Sequence, residues 1–287
     1  MQNETLAALK WEVRQRLTLL EALALWRGEF STKDLIEVFG IARSQASKDL
    51  AQYRTLFPQN LCYDRVARRY RPTHRFRPGL LRGTPDELLR LARASVHDQA
   101  GAVLLQFPSV ALVEAVERQV PFDILRAINT AIRRRRVLRI RYQSLSRQQP
   151  AEHRFAPHTV VHNGFRWHVR GFSYGHGEYR DFVLMRFVGL PVTLEQTIYR
   201  GSDDDWLWNA WVRVQLAPHP GLSPSQRVMV MEDFGMEEGN LEIPTRGALV
   251  AYFLRVMGLA AHSGPADPAL SPVIVANLGD LRPYLGD

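Results

Sequence analysis

Six side chains that are cationic, or can become so, fall on one run of alternating sequence: Arg154, His158, His168, Arg170, Arg180 and Arg186. Arginine forks pair with phosphate or carboxylate oxygens, and imidazole adds a donor or a proton carrier. In FRWHVRGF, residues 165–172, a strand would point Phe165, Trp167, Val169 and Gly171 one way and Arg166, His168 and Arg170 the other. The first set is expected in the core, Trp167 included, and the second on an anion-binding face. Few carboxylates stand nearby: Glu152, Glu178 and Asp181. The competing account is ordinary surface pairing, Arg180 with Asp181 or Glu178 and Arg154 with Glu152.

The same run suggests a second chemistry. His153, His158, His162, His168 and His176 could ligate a metal or move protons. His158 and His162, however, lie in strand and turn sequence, where a four-residue spacing does not share a helical face. A metal-dependent nuclease also needs more oxygen ligands than these carboxylates supply. HExxH, P-loop and G-x-S-x-G patterns are absent. No catalytic residue, metal ligand or cofactor is assigned, and no enzymatic activity is expected.

A third group lies near the other end. Arg43, Ser44, Gln45, Ser47 and Lys48 open a helical stretch, and Arg65, Arg68, Arg69 and Arg71 follow in DRVARRYR. Arginine reads guanine bidentately, glutamine reads adenine, and clustered arginines meet phosphates.

The elements that must position these groups come from the whole chain. It has 287 residues, 46% hydrophobic and 23% charged, enough for several domains with their own cores. Net charge is +8, unevenly spread: residues 1–80 hold 14 Lys/Arg against 8 Asp/Glu, residues 81–200 hold 18 against 10, and residues 201–287 hold 5 against 11. Two basic segments before an acidic one suggest polyanion binding upstream and another task downstream. Cys62 stands alone, so neither an intrachain disulfide nor a cysteine zinc site is expected. MQNETLAALKW carries no secretory pattern and no apolar run reaches membrane length, which predicts a cytoplasmic protein with no membrane partner.

Val13, Leu17, Leu20, Leu23 and Leu25 recur at helical spacing up to Gly28. Ser31 then caps a helix that breaks at Phe39-Gly40, and a second runs from about Ala42 to Leu56, burying Ala46, Leu50 and Tyr53. Ala42 is a poor cap for it. Two helices about a glycine turn, the second opening on small polar residues, fit a helix-turn-helix, with the second helix in the major groove. Leu61–Tyr63 and Tyr70-Arg71 about a turn near Asp64–Arg68 add a hairpin, making a winged helix. Ser31 and Thr32, at the first helix's start, join the candidate DNA contacts.

GTPDELLRLARASV reads as a helix capped by Thr84; PSVALVEAVERQV and PFDILRAINTAIRRRR read as two more. The tetrad Arg133–Arg136 closes the last, where cations suit a helix C-terminus. From Val137 the period changes. VLRIRYQS puts Leu138, Ile140, Tyr142 and Ser144 on one face and Arg139 and Arg141 on the other. RFAPHTVV, FRWHVRGF, YRDFVLMRF and LPVTLEQT continue as strands, suggesting a small bent five-stranded barrel. Past SDDDWLWNAW, WVRVQLAP and RVMVMEDFG read as strands, TRGALVAYFLRVMGLA as a helix and PVIVANL as a last strand. Trp206, Trp208 and Trp211 are offered for packing.

The order YQSLS, HRFAPH, GFRWHVRGF, YRDFVLMRF resembles the WYL domain, an Sm-like five-stranded barrel. The naming tripeptide stands here as Trp167-His168-Val169. Pro157, the Asn163-Gly164 turn and Arg-x-Phe-x-Leu-x-Arg over residues 180–186 carry the match. Within that family the chain resembles the CapW/BrxR-like repressors of anti-phage defence operons. The resemblance implies an α+β multidomain chain: a winged helix-turn-helix (1–80), a helical linker (81–136), the WYL barrel (137–200) and a small α+β extension called WCX (201–287). It further implies a homodimer on inverted-repeat operator DNA and an anionic nucleotide or oligonucleotide ligand. Tyr142, Ser144, Ser146, Arg154, His158, His168, Arg170, Arg180 and Arg186 would bind that ligand. The alternatives are an RNA- or single-stranded-DNA-binding protein built on the Sm-like barrel, or a metal-dependent nuclease.

Overall fold

The computed structural model describes residues 6, 8–96, 119–195, 198–259 and 267–286. They form two compact units divided between Val113 and Glu114.

In the first unit, α1 (Trp11–Ala22) runs on through a π-helical turn, Leu23–Arg27, and stops at Gly28 with φ 79°. The αL conformation there is cheap for glycine alone. Ser31 caps α2 (Thr32–Phe39) in a capping box: Asp34 Oδ2 accepts the Ser31 N–H at 2.6 Å. Gly40, φ 61°, ends that helix, and α3 (Arg43–Leu56) follows with no side-chain cap at Ala42. Leu17, Leu20, Leu23, Leu35 and Tyr53 are fully buried, and each leucine contributes about 2 kcal/mol by leaving water. Strands β1 (Leu61–Asp64) and β2 (Arg69–Pro72) make the hairpin, with the turn where the spacing places it. Phe30 bridges to Tyr70 by two backbone hydrogen bonds, anchoring the hairpin beside the helices.

A buried carboxylate ties this unit's exit. Glu21, fully buried, accepts the backbone N–H groups of Gly79, Leu80 and Leu81 at 2.7–3.1 Å and the Tyr53 hydroxyl at 2.9 Å. Burial, and then the Glu21 charge, hold the Tyr53 hydroxyl far above the ordinary tyrosine range. Beyond the strap, α4 (Pro85–Val96) starts after Thr84, with Glu87 accepting the Arg82 and Gly83 N–H groups at 2.8 Å. The helix expected over residues 108–120 falls mostly outside the described residues.

The second unit opens with α5 (Phe122–Arg134), whose Ile124, Ile128 and Ala131 pack on the sheet. Arg135 leaves it in αL, and all four arginines of the tetrad are exposed. Strands β3 (Val137–Tyr142), β4 (Ala151–His162), β5 (Trp167–Ser173), β6 (Glu178–Val183) and β7 (Val192–Leu194) form one antiparallel sheet in the order β6-β5-β4-β3-β7. On β3 the alternation holds: Leu138, Ile140 and Tyr142 are buried, Arg139 and Arg141 exposed. Among the described residues β6 and β7 do not pair with each other, so the sheet is open where a barrel would close. What links its far parts is a bridge from Tyr142 to Phe187. A bulge interrupts β4 between Pro157 and Thr159, which sets His158 out of register. Gly171 of β5 lies so close to β4 that a Cβ would stand 2.2 Å from the Ala156 carbonyl oxygen.

The rest of the unit is α6 (Trp206–Asn209), β8 (Trp211–Pro218), α7 (Pro224–Phe234), β9 (Leu241–Arg246), α8 (Val250–Val256), β10 (Val273–Val275) and α9 (Leu278–Leu281), with sheet order β10-β8-β9. Val214, Leu216, Val230, Val250 and Leu254 are its core.

Several expectations need correcting. RVMVMEDFG is helix α7, not a strand: Ser223 and Gln226 form a capping box, Pro224 occupies the first turn and Gly235 ends it at φ 60°. TRGALVAYFLRVMGLA is α-helical only from Val250, after a 3-10 turn over Gly247–Leu249; Thr245 and Arg246 belong to β9, an edge strand that tolerates Pro244. β6 stops at Val183, and Leu184–Arg186 is a 3-10 turn, so Arg186 leaves the strand. Strand β5 is buried on both faces instead of one. His168 and Arg170 are covered, whereas Phe165 and Trp167, expected inside, are 55% and 39% exposed. Trp167 rests on the His162 ring at 4.6 Å.

Candidate functional sites: a basic cleft and the basic residues of the sheet

In the first unit, α2, α3 and the hairpin bound a cleft of about 780 Å³. Lys33, Arg43, Ser47, Arg54, Arg68 and Arg69 line it, and no Asp or Glu does. Arg43, Arg54 and Arg68 make no ion pair among the described residues. Helical geometry sets Arg43, Ser47 and Arg54 on one face at steps of four and seven. Sequence reasoning missed Arg54 and Lys33, although that spacing was available to find Arg54. Tyr63 adds a half-exposed ring to the lining.

The remaining expected DNA contacts divide. Ser44, Ser47 and Lys48 are exposed on α3, and Arg65 is exposed in the hairpin turn. Arg68 forms the turn itself with φ 54°. Ser31 uses its hydroxyl as the α2 cap, and Thr32 lines the cleft. Gln45 turns inward: its Nε2 donates to Asp49 Oδ1 at 2.9 Å, and Arg16 Nε holds Asp49 Oδ2 at 2.6 Å. Arg69 and Arg71 bind Glu29 at 3.3 and 3.1 Å, and Arg71 also binds Asp64 at 2.8 Å.

In the second unit the nine expected ligand contacts fall into separate places. Arg170 and His158 converge on Asp205, the residue that caps α6. Arg170 Nε donates to Asp205 Oδ2 at 2.6 Å and its NH2 group to Oδ1 at 3.0 Å, while His158 Nε2 lies 3.1 Å from Oδ2. The Trp208 N–H donates to Oδ1 at 3.2 Å. Burial pushes the Asp205 carboxyl up, but the hydrogen bonds from His158 and Arg170 and the Arg170 charge outweigh it, leaving the group at about 2. A second carboxylate, Asp181, takes Arg170 NH1 at 3.3 Å and the Tyr252 hydroxyl of α8 at 2.9 Å. Burial opposes the Arg170 charge, and Asp205 and Asp181 prevail, raising its pKa. These two basic side chains are therefore already engaged from within, by a carboxylate that sequence reasoning did not single out. His168, beside them, is buried against the Tyr252 ring at 5.1 Å, and its Nδ1 has no hydrogen-bond partner. Burial, more than Asp181 and the Arg166 carbonyl offset, keeps that imidazole below the usual histidine range.

Tyr142 is core: its ring packs on Phe182 and Phe187 at 4.8 and 5.9 Å, and its hydroxyl accepts the Val183 N–H. The Ser144 and Ser146 hydroxyls lie 3.1 Å apart in the loop after β3. Arg180 Nε pairs with Glu178 at 2.5 Å, as the surface-pairing account has it. Arg154 spreads over the Tyr174 ring at 5.5 Å, and Arg186 is half-buried in its turn. Trp208 and Trp211 hold the Arg246 guanidinium between them at 4.6 Å from each ring. Among the described residues no three His, Cys, Asp or Glu side chains gather as a metal ion would need, and no helix is long and apolar enough to cross a membrane.

Three family models match the chain. They are the BrxR transcriptional regulator winged helix-turn-helix domain over residues 12–94, the WYL domain over 123–192, and the BrxR transcriptional regulator C-terminal dimerization domain over 211–281. The DNA-binding transcriptional repressor CapW of Stenotrophomonas maltophilia is 34% identical, across 99% of this chain and 96% of its own. Its counterparts from Escherichia coli (strain KTE188) and Pseudomonas aeruginosa are each 33% identical. They cover 89% and 95% of this chain, and 87% and 92% of their own. Among solved structures, the proteasome accessory factor B/C of Arthrobacter aurescens aligns with a TM-score of 0.31 at 16% identity, over 95% of this chain and 45% of that one. So distant a likeness bears no argument.

Proposed function

We propose a function from one premise: the chain belongs to the CapW/BrxR family of WYL-domain transcriptional regulators. It is a sequence-specific DNA-binding regulator. In our reading it acts as a homodimeric repressor of an anti-phage defence operon. The winged helix of each protomer takes one half of an inverted repeat, α3 in the major groove and the hairpin arginines on phosphates. Dimerisation is assigned to the region matching the C-terminal dimerization model. The WYL sheet senses an anionic nucleotide or nucleic-acid fragment, and it regulates to the extent that the ligand prefers one of the two DNA-binding states.

The observation that carries the reading is the basic cleft, where Lys33, Arg43, Arg54 and Arg68 face outward with no carboxylate among the lining residues. Packing such charges together is unfavourable in isolation and is relieved by a polyanion. The test is a gel-shift titration against duplex DNA from upstream of the protein's own gene, across a salt series. Arg43→Ala is expected to weaken operator binding by roughly 1–3 kcal/mol and relax its sequence preference, whereas Arg54→Ala weakens all duplexes alike and lowers the salt slope by about one. Binding that ignores sequence, or that survives both substitutions, refutes the assignment.

A further inference from the structure

The WYL sheet contains two basic clusters with opposite internal balance. At the buried one, Arg170 and His158 already meet two carboxylates, Asp205 and Asp181. An incoming anion there would have to displace Asp205 from a bidentate pair. The second cluster lies at the other end of β6, around the β5–β6 turn. His153 of β4 and His176 of that turn stack nearly face to face, with centroids 5.3 Å apart and planes at 17°. The Ser173 hydroxyl fixes His176 Nδ1 at 2.8 Å. The fields of Arg147 and Arg180 reach both rings. Arg147 follows the loop of Ser144 and Ser146, and the Gln143 side chain pins that loop by donating to the Ser144 and Arg147 carbonyls at 2.9 and 2.6 Å.

The groups acting on the stack are Arg147, Arg180 and Glu178, and Glu178 is the single carboxylate among them, already taken by Arg180. Tyr142 and Phe182 pack on His153 from β3 and β6 and bring no charge. Both imidazoles lie below the ordinary histidine range. For His153 the causes are burial, then His176, Arg147 and Arg180; for His176 they are burial and the two arginines, opposed by Glu178. Burial first, and the arginine fields after it, favour the neutral form of both rings; an anion of more than one charge would offset those fields and favour protonation of both.

We infer that His153, His176, Arg147 and Arg180 form a binding site for a phosphate dianion, either free or at the end of a nucleotide or oligonucleotide. This rests on the sensing role given above to the WYL sheet and names the part of the sheet that does it. A terminal phosphate carries roughly −1.5 to −2 near neutral pH against −1 for an internal diester, and so matches two guanidiniums and two protonatable rings better. Binding raises the imidazole pKa values and draws in protons, so affinity rises as pH falls through the bound-state values.

The test is calorimetric titration of the full-length protein with four probes: inorganic phosphate, sulfate, a 5′-phosphorylated trinucleotide and the same trinucleotide with a 5′-hydroxyl. Sulfate, whose charge is constant between pH 6 and 8, isolates the protein's own pH dependence. The phosphorylated trinucleotide is expected to bind at least tenfold more tightly than the hydroxyl form. Sulfate is expected to bind more tightly at pH 6 than at pH 8, with proton uptake measured in buffers of different ionisation enthalpy. Arg147→Gln and His176→Gln, both at exposed positions, are each expected to lose tenfold or more while melting like the parent. Inorganic phosphate equal to the phosphorylated trinucleotide would keep the site and assign free phosphate to it. Equal binding of the two trinucleotides with no binding of phosphate, or indifference to both substitutions, overturns the inference. Operator gel shifts on the same samples separate the two failures. Tight operator binding without phosphate binding sinks this site alone, and absent operator binding sinks the regulator reading.

Discussion

Asp205→Asn tests whether the carboxylate between the two sheets holds the second unit together. The substitution keeps size and shape but leaves Arg170, 4% exposed, with Asp181 alone at 3.3 Å. Two routes give the magnitude. The Asp205 carboxyl sits at about 2 against an ordinary 3.8, a difference worth roughly 2 kcal/mol of folding stability at neutral pH. Breaking a buried ion pair from one side costs about 3–5 kcal/mol, because the surviving charge stays desolvated. Here Asp181 remains as a partial partner, so we expect a loss of about 3 kcal/mol. Urea unfolding at pH 7, followed by tryptophan fluorescence, reads it, since Trp167, Trp206, Trp208 and Trp211 all lie in this unit. Arg170→Met and the double variant complete a cycle, in which the coupling should be about 2 kcal/mol or more. A loss below about 1 kcal/mol, or an Arg170→Met cost unchanged by the presence of Asp205, would refute the reasoning.

The same pair has a pH signature. Because the folded pKa lies below the unfolded one, its contribution is complete well above pH 3.8 and disappears as pH falls toward about 2; acid unfolding of Asp205→Asn should lack that component. Glu21→Gln replaces an acceptor of three backbone N–H groups with a side chain that is half donor, at a cost of about 2–3 kcal/mol. Amide exchange at residues 79–81 should accelerate by more than tenfold with the second unit unaffected; unchanged exchange there would contradict the strap. Gly171→Ala forces a Cβ to 2.2 Å from the Ala156 oxygen and 2.7 Å from the Pro157 Cα. The backbone has no room to yield, so a loss of roughly 3 kcal/mol is expected in thermal melts; a parent-like melting temperature would show that β4 and β5 separate without cost at this point.

Local chemistry was legible in the sequence. Ser31, Gly40 and Gly28 announce helix ends through caps and left-handed turns that depend on neighbouring residues only. The β3 alternation was equally plain. Helix α7 was misread because Val228, Met229, Val230 and Met231 look like strand, whereas Ser223, Pro224, Gln226 and Gly235 at its ends decide the matter. Residue type marks Arg170 and His158 as basic groups of the sheet but not their partner, because Asp205 lies 35 and 47 residues away in the acidic segment. Residue type points Gln45 at DNA, and its hold on Asp49 is invisible in sequence because it depends on Arg16 from another helix. The period of two points Trp167 inward because it assigns a face but does not say which face another element will cover.

Asp205 also decides where this protein could be cut. The WYL match ends at residue 192, short of the carboxylate that binds the sheet's buried arginine and histidine. A fragment trimmed to that match would carry Arg170 and His158 without that shared partner. A transplantable WYL sheet must therefore extend at least through α6. A recombination event joining the sheet to a foreign tail would succeed only if the newcomer brought an acid to the same spot.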